Sequence, residues 1–339
     1  MKRASGYLAT LCAVLGLSLF LGLLARVGVN TILDKIRLLG LGFLVLLLFS
    51  GARYTLRTIS WRLCLKTKRS ISLLGQLRIM LVGEAFNDMS PAGPMLGDTV
   101  RVYVASKHMS ADESATSVTA ERLIYSFSVV LFLLAGVVML LLKMALSGKA
   151  RLYVSMLILG LFLFLLLPYR IVSRRVLVIG ALLDRLKRSG FRWTFLERHE
   201  PRIRAFEESL HDFFWGQRRL FLLVLSVNLF THLVGAGEAY FILKATGSQI
   251  SMLTAFLVES ANRVAQILCT FVPFGLGVEE GTAGAALQAL GYGVSAGVSL
   301  GIIRKIRTVF WIAAGLLLAT PYAVRKPATQ RIWQEAYKP

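Results

Sequence analysis

The sequence has 339 residues, of which 56% are hydrophobic and 17% charged, with a mean hydropathy of +0.66 and a formal net charge of +21. This apolarity excludes an ordinary soluble domain and predicts an all-α integral membrane protein. The charge does not point to nucleic acid. The cations cluster beside apolar runs without a zinc finger, RNA-binding signature or soluble basic domain, and a cytoplasmic face on anionic lipid accounts for them better.

Lys2 and Arg3 precede an apolar run over about 7–29. It exceeds a usual signal-peptide core and ends without a small-x-small cleavage site, so it is read as a retained first span. Further stretches long enough to cross a bilayer occur near 38–58, 122–142, 151–171, 219–243 and 302–322, giving six full spans. Two other segments, about 74–107 and 250–292, are apolar overall but carry acids, Asn, Arg, Pro and Gly in their middles. Each is read as a re-entrant helical hairpin that turns at its Pro/Gly tip and leaves on the side it entered, because broken backbone at membrane depth must be enclosed by protein or line a wet cavity.

The two interruptions repeat one signature. Pro91, Gly93, Asp98 and Arg122 recur at one constant offset as Pro273, Gly275, Glu280 and Arg304. Most of the 39 lysines and arginines fall on one side if both termini are cytoplasmic, which fixes the predicted orientation. The first hairpin then opens to the cytoplasm and the second to the outside. Six spans and two hairpins therefore form an inverted-topology repeat in a multi-pass protein of the cell membrane (plasma or inner membrane). Residues 1–171 hold the first repeat and the start of the second, 172–218 form a basic cytoplasmic segment, and 219–339 complete the second repeat and end in a cytoplasmic tail. Within the basic segment, Ile203, Phe206, Leu210, Phe213 and Phe214 recur at helical spacing. Such a segment suits either an interfacial helix or a loop that merely sets topology. Trp61, Trp193, Trp311 and Trp333 are expected to anchor span ends at the interface.

Charges at membrane depth mark the candidate site, since each is costly and must find partners around an interior cavity. The acids are Glu84, Asp88, Asp98, Glu238, Glu259, Glu279 and Glu280, with Arg101, Arg122, Arg263, Arg304 and Arg307 as expected partners. Glu84, Asn87 and Asp88 share one helix face, and Glu259 and Asn262 repeat the spacing of Glu84 and Asn87. The half-helix after the first tip presents free N–H groups to an anionic phosphate, and Asp98 is expected to cap that end while pairing with Arg101. Arg122 and Arg304 are read as opening full spans on opposite sides, where a guanidinium would receive a headgroup phosphate or simply set orientation. His232 and Glu238 suggest a proton relay or, through Gly235 and Gly237, a close helix crossing. Cys12, Cys64 and Cys269 are scattered and the four histidines isolated, so neither a disulfide framework, a metal site nor a cofactor is expected.

The run from Glu84 to Arg122, with Pro91, Gly97-Asp98-x-x-Arg101 and Glu121-Arg122, resembles the transmembrane flippase domain of lysylphosphatidylglycerol synthases. So does the run from Pro273 through Gly275, Gly277, Glu279 and Glu280 to Leu290-Gly291. Stand-alone members of that family are flippase-like membrane proteins. Asp98 departs from a more usual Glu, and Phe274 from a Gly or Pro. No soluble aminoacyl-transferase domain is expected after Tyr322, so lysine transfer is not implied. The resemblance implies a lipid translocase for an anionic phospholipid, an aminoacylated phospholipid or a polyprenyl-phosphate lipid. Its partners would be lipids with an anionic headgroup, with a second copy or a lipid-modifying enzyme alongside. An intramembrane enzyme acting on a lipid phosphate or lipid-linked sugar is the alternative, although no catalytic motif is found. A non-transporting regulator that binds through 172–218 is a third.

Overall fold

A computed structural model describes residues 39–66, 71–90, 93–143, 216–270, 272–275 and 277–324, with isolated helical positions at 37 and between 148 and 208. The expected spans 7–29 and 151–171, most of the basic segment 172–218, Pro91 and the tail after 324 lie outside the described residues. Among the described residues there are eight α-helices and no strands. They are α1 (Gly42–Cys64), α2 (Leu73–Met89), α3 (Pro94–Ala105), α4 (Ala111–Lys143), α5 (Arg218–Ala245), α6 (Met252–Leu268), α7 (Val278–Ala289) and α8 (Val294–Val324), with a short 3₁₀ turn at Pro273–Gly275.

The order is duplicated: a long helix, a helix–break–helix pair, a long helix, twice over. The paired helices even match in length, since α2 and α6 have 17 residues each and α3 and α7 have 12 each. Both pairs start alike. Ser72 Oγ accepts from the Gly75 N–H and Ser251 Oγ from the Thr254 N–H, each at 3.1 Å, capping α2 and α6. Pro94 then opens α3, where its missing N–H costs nothing.

α1, α4 and α5 are long and apolar enough to cross a membrane, by length and composition. α4 and α5 contain the predicted spans 122–142 and 219–243, and α1 overlaps 38–58 but starts and ends later. The predicted span 302–322 falls inside α8, whose 31 residues have ample length but carry Arg304, Lys305 and Arg307. Both α4 and α8 start earlier than expected, at 111 and 294, so Arg122 and Arg304 lie inside their helices rather than at span entrances.

The distribution of side chains is that of a protein in lipid. Large apolar residues such as Leu48, Leu142 and Leu317 are more than 70% exposed, while Arg57, Arg101, Glu121, Glu238, Glu259, Arg304 and Lys305 are buried. Two of the tryptophans also point inward. Trp61 is fully buried, under the Arg101 guanidinium and with its Nε1 donating to Ser117 Oγ. Trp311 donates to Ser50 Oγ at 2.8 Å and stacks edge-on to Tyr54. Neither is the interfacial anchor that its sequence position suggested.

The halves interlock rather than sit side by side. α1 packs along α5, α2 along α8, and α4 against both α5 and α6. A shared apolar core joins Leu46 of α1, Ile242 of α5, Val258 of α6, Leu287 of α7 and Ile303 of α8. Glycine makes the closest approaches. A Cβ on Gly297 of α8 would lie 2.3 Å from the backbone of Ala283 and Gly284 of α7. We therefore expect Gly297→Ala to destabilise the detergent-purified protein by about 1–3 kcal/mol, read as a lowered thermal midpoint. Gly281→Ala, whose Cβ would meet nothing within 4 Å, should leave the midpoint unchanged or raise it.

Candidate functional site

Each helix pair turns through backbone that a regular helix cannot adopt. At the first tip Gly93 takes φ +47 and donates its N–H to the Ser90 carbonyl at 2.9 Å. At the second, Phe274 takes φ +58, a conformation costing a side-chain-bearing residue about 1–2 kcal/mol. Burial holds it there. The ring packs between Met89 of α2 and Ile312 of α8, and Lys305 Nζ donates to the carbonyls of Phe274 and Gly275. The two tips also meet. A Cβ on Gly93 would be 3.1 Å from Thr270 Oγ1, in the segment leading into the second tip.

Behind the first tip lies one ion-pair network. Asp98 accepts two hydrogen bonds from Arg122, at 2.6 and 2.8 Å, and a third from Arg101 at 3.1 Å. Arg101 also reaches Glu121 at 3.1 Å, and Arg57 joins Glu121 to Glu84. Asn87 donates to Glu84, and the Tyr125 ring lies 4.6 Å beneath the Arg57 guanidinium. Gly83 makes room for this network, because a Cβ there would overlap the Arg101 stem.

A second network lies behind the other tip. Arg304 bridges Glu259 at 2.7 Å and Glu238 at 3.3 Å, and Arg263 meets Glu259 at 3.0 Å. Arg307 also pairs with Glu238, and Arg53 approaches it at 3.5 Å, tying α1 of the first half to α5 of the second. Gln266 donates to Glu279 at 2.6 Å, and Lys305 lies 4.0 Å from Glu280.

Between the networks is a cavity of about 310 Å³. Its wall includes Glu84, Asn87, Asp88, Gly93, Arg122, Arg263, Gly275, Glu279 and Arg307 of the sequence-predicted residues. Asp98, Arg101, Glu121, Glu259, Asn262, Glu280 and Arg304 stand outside this wall. Asp98, Glu121, Glu259 and Glu280 approach cations that line it, and Arg101 reaches the wall only through Asp98 and Glu121. Gly277 is exposed where α7 starts, and Pro273 opens the 3₁₀ turn. The wall is cation-rich: Arg53, Arg57, Arg122, Arg263, Lys305 and Arg307 against Glu84, Asp88 and Glu279.

Three expectations change in this geometry. Asp98 does not cap α3; no side chain caps Gly93, and Asp98 is committed to Arg122 and Arg101. Arg304 is buried and bound to two acids and the Gly235 carbonyl, so it receives nothing at an entrance. His232 meets Ser128 Oγ at 3.0 Å and the rings of Tyr125 and Phe132, whereas Glu238 serves three arginines. The glycines near them do mark a close crossing, since a Cβ on Gly235 would be 3.0 Å from Glu259 Oε1.

The family described as lysylphosphatidylglycerol synthase TM region matches residues 8–315. The chain belongs to that family. A UPF0104 membrane protein of Methanothermobacter thermautotrophicus (strain Delta H) is 25% identical over 299 residues, covering 83% of each chain. No solved structure matches significantly. Asp98 anchors Arg122 behind the first tip, and Phe274 packs at the second.

Sequence reasoning missed Arg53, Tyr54, Arg57, Tyr125, Gln266 and Lys305. A signal for three of them was available: Ser50, Arg53, Tyr54 and Arg57 recur at i, i+3, i+4 and i+7 and so share one face of α1. Counting the arginines as loop cations hid it. Because Arg57 satisfies two buried acids, Arg57→Ala should cost about 3–5 kcal/mol of stability in a thermal melt. Adding Glu84→Gln to it should recover part of that loss, the signature of a coupled pair.

Proposed function

We propose that this membrane protein translocates a lipid between leaflets, its anionic headgroup passing through the cavity between the two tips while its tails stay in the bilayer. The observation that carries this reading is the cavity wall, on which six cationic side chains outnumber three acids and guanidiniums present donors suited to a phosphate. Its volume of about 310 Å³ suits a headgroup and is too small for a whole lipid. The exposed leucines of α1, α4 and α8 give the tails an apolar surface to follow.

In this reading the two helix pairs are re-entrant hairpins opening to opposite sides. With the spans outside the described residues they complete six full crossings in an inverted repeat, both termini being cytoplasmic in the cell membrane. The orientation rests on loop cations, chiefly those of 172–218; Arg53, Arg57, Arg101 and Arg122 belong to the embedded networks and drop out of that count. Rocking of one half against the other would open the cavity to each leaflet in turn. Membership of the lysylphosphatidylglycerol synthase TM region family supports a lipid-related role. The substrate class is an anionic phospholipid or polyprenyl-phosphate lipid, and a homo-oligomer or a lipid-modifying enzyme is the expected neighbour.

Reconstitution into liposomes carrying a fluorescent anionic lipid in one leaflet tests the proposal. Wild-type protein should collapse the asymmetry, and Arg263→Gln or Arg307→Gln should slow it by about tenfold or more, the loss of one charge-assisted hydrogen bond. Unchanged rates in both variants would remove the headgroup role from the cavity. A chemically altered lipid recovered from the liposomes would favour an intramembrane enzyme.

A further inference from the structure

Among the described residues, the two networks and the cavity wall between them hold equal numbers of opposite charges. The cations are Arg53, Arg57, Arg101, Arg122, Arg263, Arg304, Lys305 and Arg307, and the acids Glu84, Asp88, Asp98, Glu121, Glu238, Glu259, Glu279 and Glu280. With every group ionised the region is neutral. An anionic headgroup entering it brings one uncompensated negative charge into surroundings of low dielectric, which is expensive. Something must carry the balancing positive charge.

Six of the eight acids are held by a cation: Glu84, Asp98, Glu121, Glu238 and Glu259 at 3.6 Å or closer, and Glu280 at 4.0 Å. Glu279 accepts from Gln266 at 2.6 Å. Asp88 differs from all of these. It lines the cavity at the end of α2, beside the first tip, and among the described residues it has neither a hydrogen bond nor an ion pair. Glu84 faces it from its own helix, Tyr54 from α1, Glu279 from α7, and Arg307 and Lys305 from α8. α3, the other helix packed on α2, places no titratable group on the cavity wall among the described residues. Arg307 is taken by Glu238, and Lys305 by the second tip and Glu280.

We propose that Asp88 binds one proton for each anionic headgroup that occupies the cavity, so that headgroup and proton cross together. The inference rests on the translocase reading and names its coupling ion. The proton goes to a carboxylate oxygen of Asp88, no other bond changes, and the occupied cavity regains neutrality. Binding that takes up a proton strengthens as pH falls.

Titration calorimetry of the full-length purified protein with dihexanoylphosphatidylglycerol, in buffers of different ionisation enthalpy, counts the protons directly. Uptake approaching one proton per bound probe is expected, with affinity rising by up to about tenfold per pH unit on acidification. In Asp88→Asn the uptake should fall towards zero and the affinity should lose its pH dependence. Wild-type binding with no proton uptake, or equal uptake in Asp88→Asn, would overturn the inference and leave the translocase reading standing. Failure of the probe to bind wild-type protein at any pH would instead defeat that reading, and this inference with it. If Asp88→Asn does not fold, the wild-type proton count still decides.

Discussion

Among the described residues, sixteen charged side chains sit in the interior of a protein whose outer surface is made for hydrocarbon, and the rest of the structure accommodates that arrangement. Desolvating one such ion costs several kcal/mol even after relaxation, and a partner of opposite charge repays it only when the geometry is good. The networks supply that geometry with planar, multidentate arginines, as where Asp98 accepts three guanidinium hydrogen bonds. Glycines then clear the space these charged side chains require, Gly83 for the Arg101 stem and Gly235 for the Glu259 carboxylate. A fold built only for stability would fill this volume with apolar side chains, which pack as well without the desolvation cost. Retaining the charges therefore argues that they act on something that enters.

The broken helices follow from the same constraint. A continuous helix satisfies its own backbone but leaves no polar surface at its centre, whereas a break exposes carbonyls and N–H groups that need protein or water around them. Lys305 answers that need at the second tip by donating to the carbonyls of Phe274 and Gly275. The first tip is closed by its own turn, from Gly93 to Ser90, and is small enough to rest against Thr270. Contact between the tips turns two separate interruptions into one cavity. It also couples the halves, since a movement of either helix pair changes the wall seen by the other.

How much of this was legible in the sequence depended on whether the signal was local. The two broken segments announced themselves through Pro, Gly and acids inside apolar runs, and their helices begin and end within a few residues of the boundaries read from the chain. The constant-offset repeat matched in order but not in partner. Asp98 does hold Arg122, yet its counterpart Glu280 lies near Lys305, because Arg304 turns to Glu238 and Glu259 instead. Nothing in a linear sequence distinguishes Arg304 from Lys305 in that respect. The direction of a side chain depends on which neighbour has already claimed each acid. Arg53 and Arg57 were lost for a different reason, since an arginine near a span end is ordinarily an orientation signal. Only their phase with Ser50 and Tyr54 marks them as inward.

Similar halves carrying different charges also bear on what the site can do. A repeat with identical charges in both copies would present the same wall to both leaflets, and its occupant would see two equivalent ends. Here the first network gathers around Arg57, Glu84 and Asp98, while the second centres on Glu238 and Glu259 and is stiffened by Lys305 at its tip. Asp88, which has no hydrogen bond or ion pair among the described residues, stands in the first helix pair, and the hydrogen-bonded Glu279 in the second. An occupant moving from one tip to the other would pass from a wall whose charge can change to one whose charge is held. That asymmetry lies in the charged side chains and needs no difference in fold between the two halves.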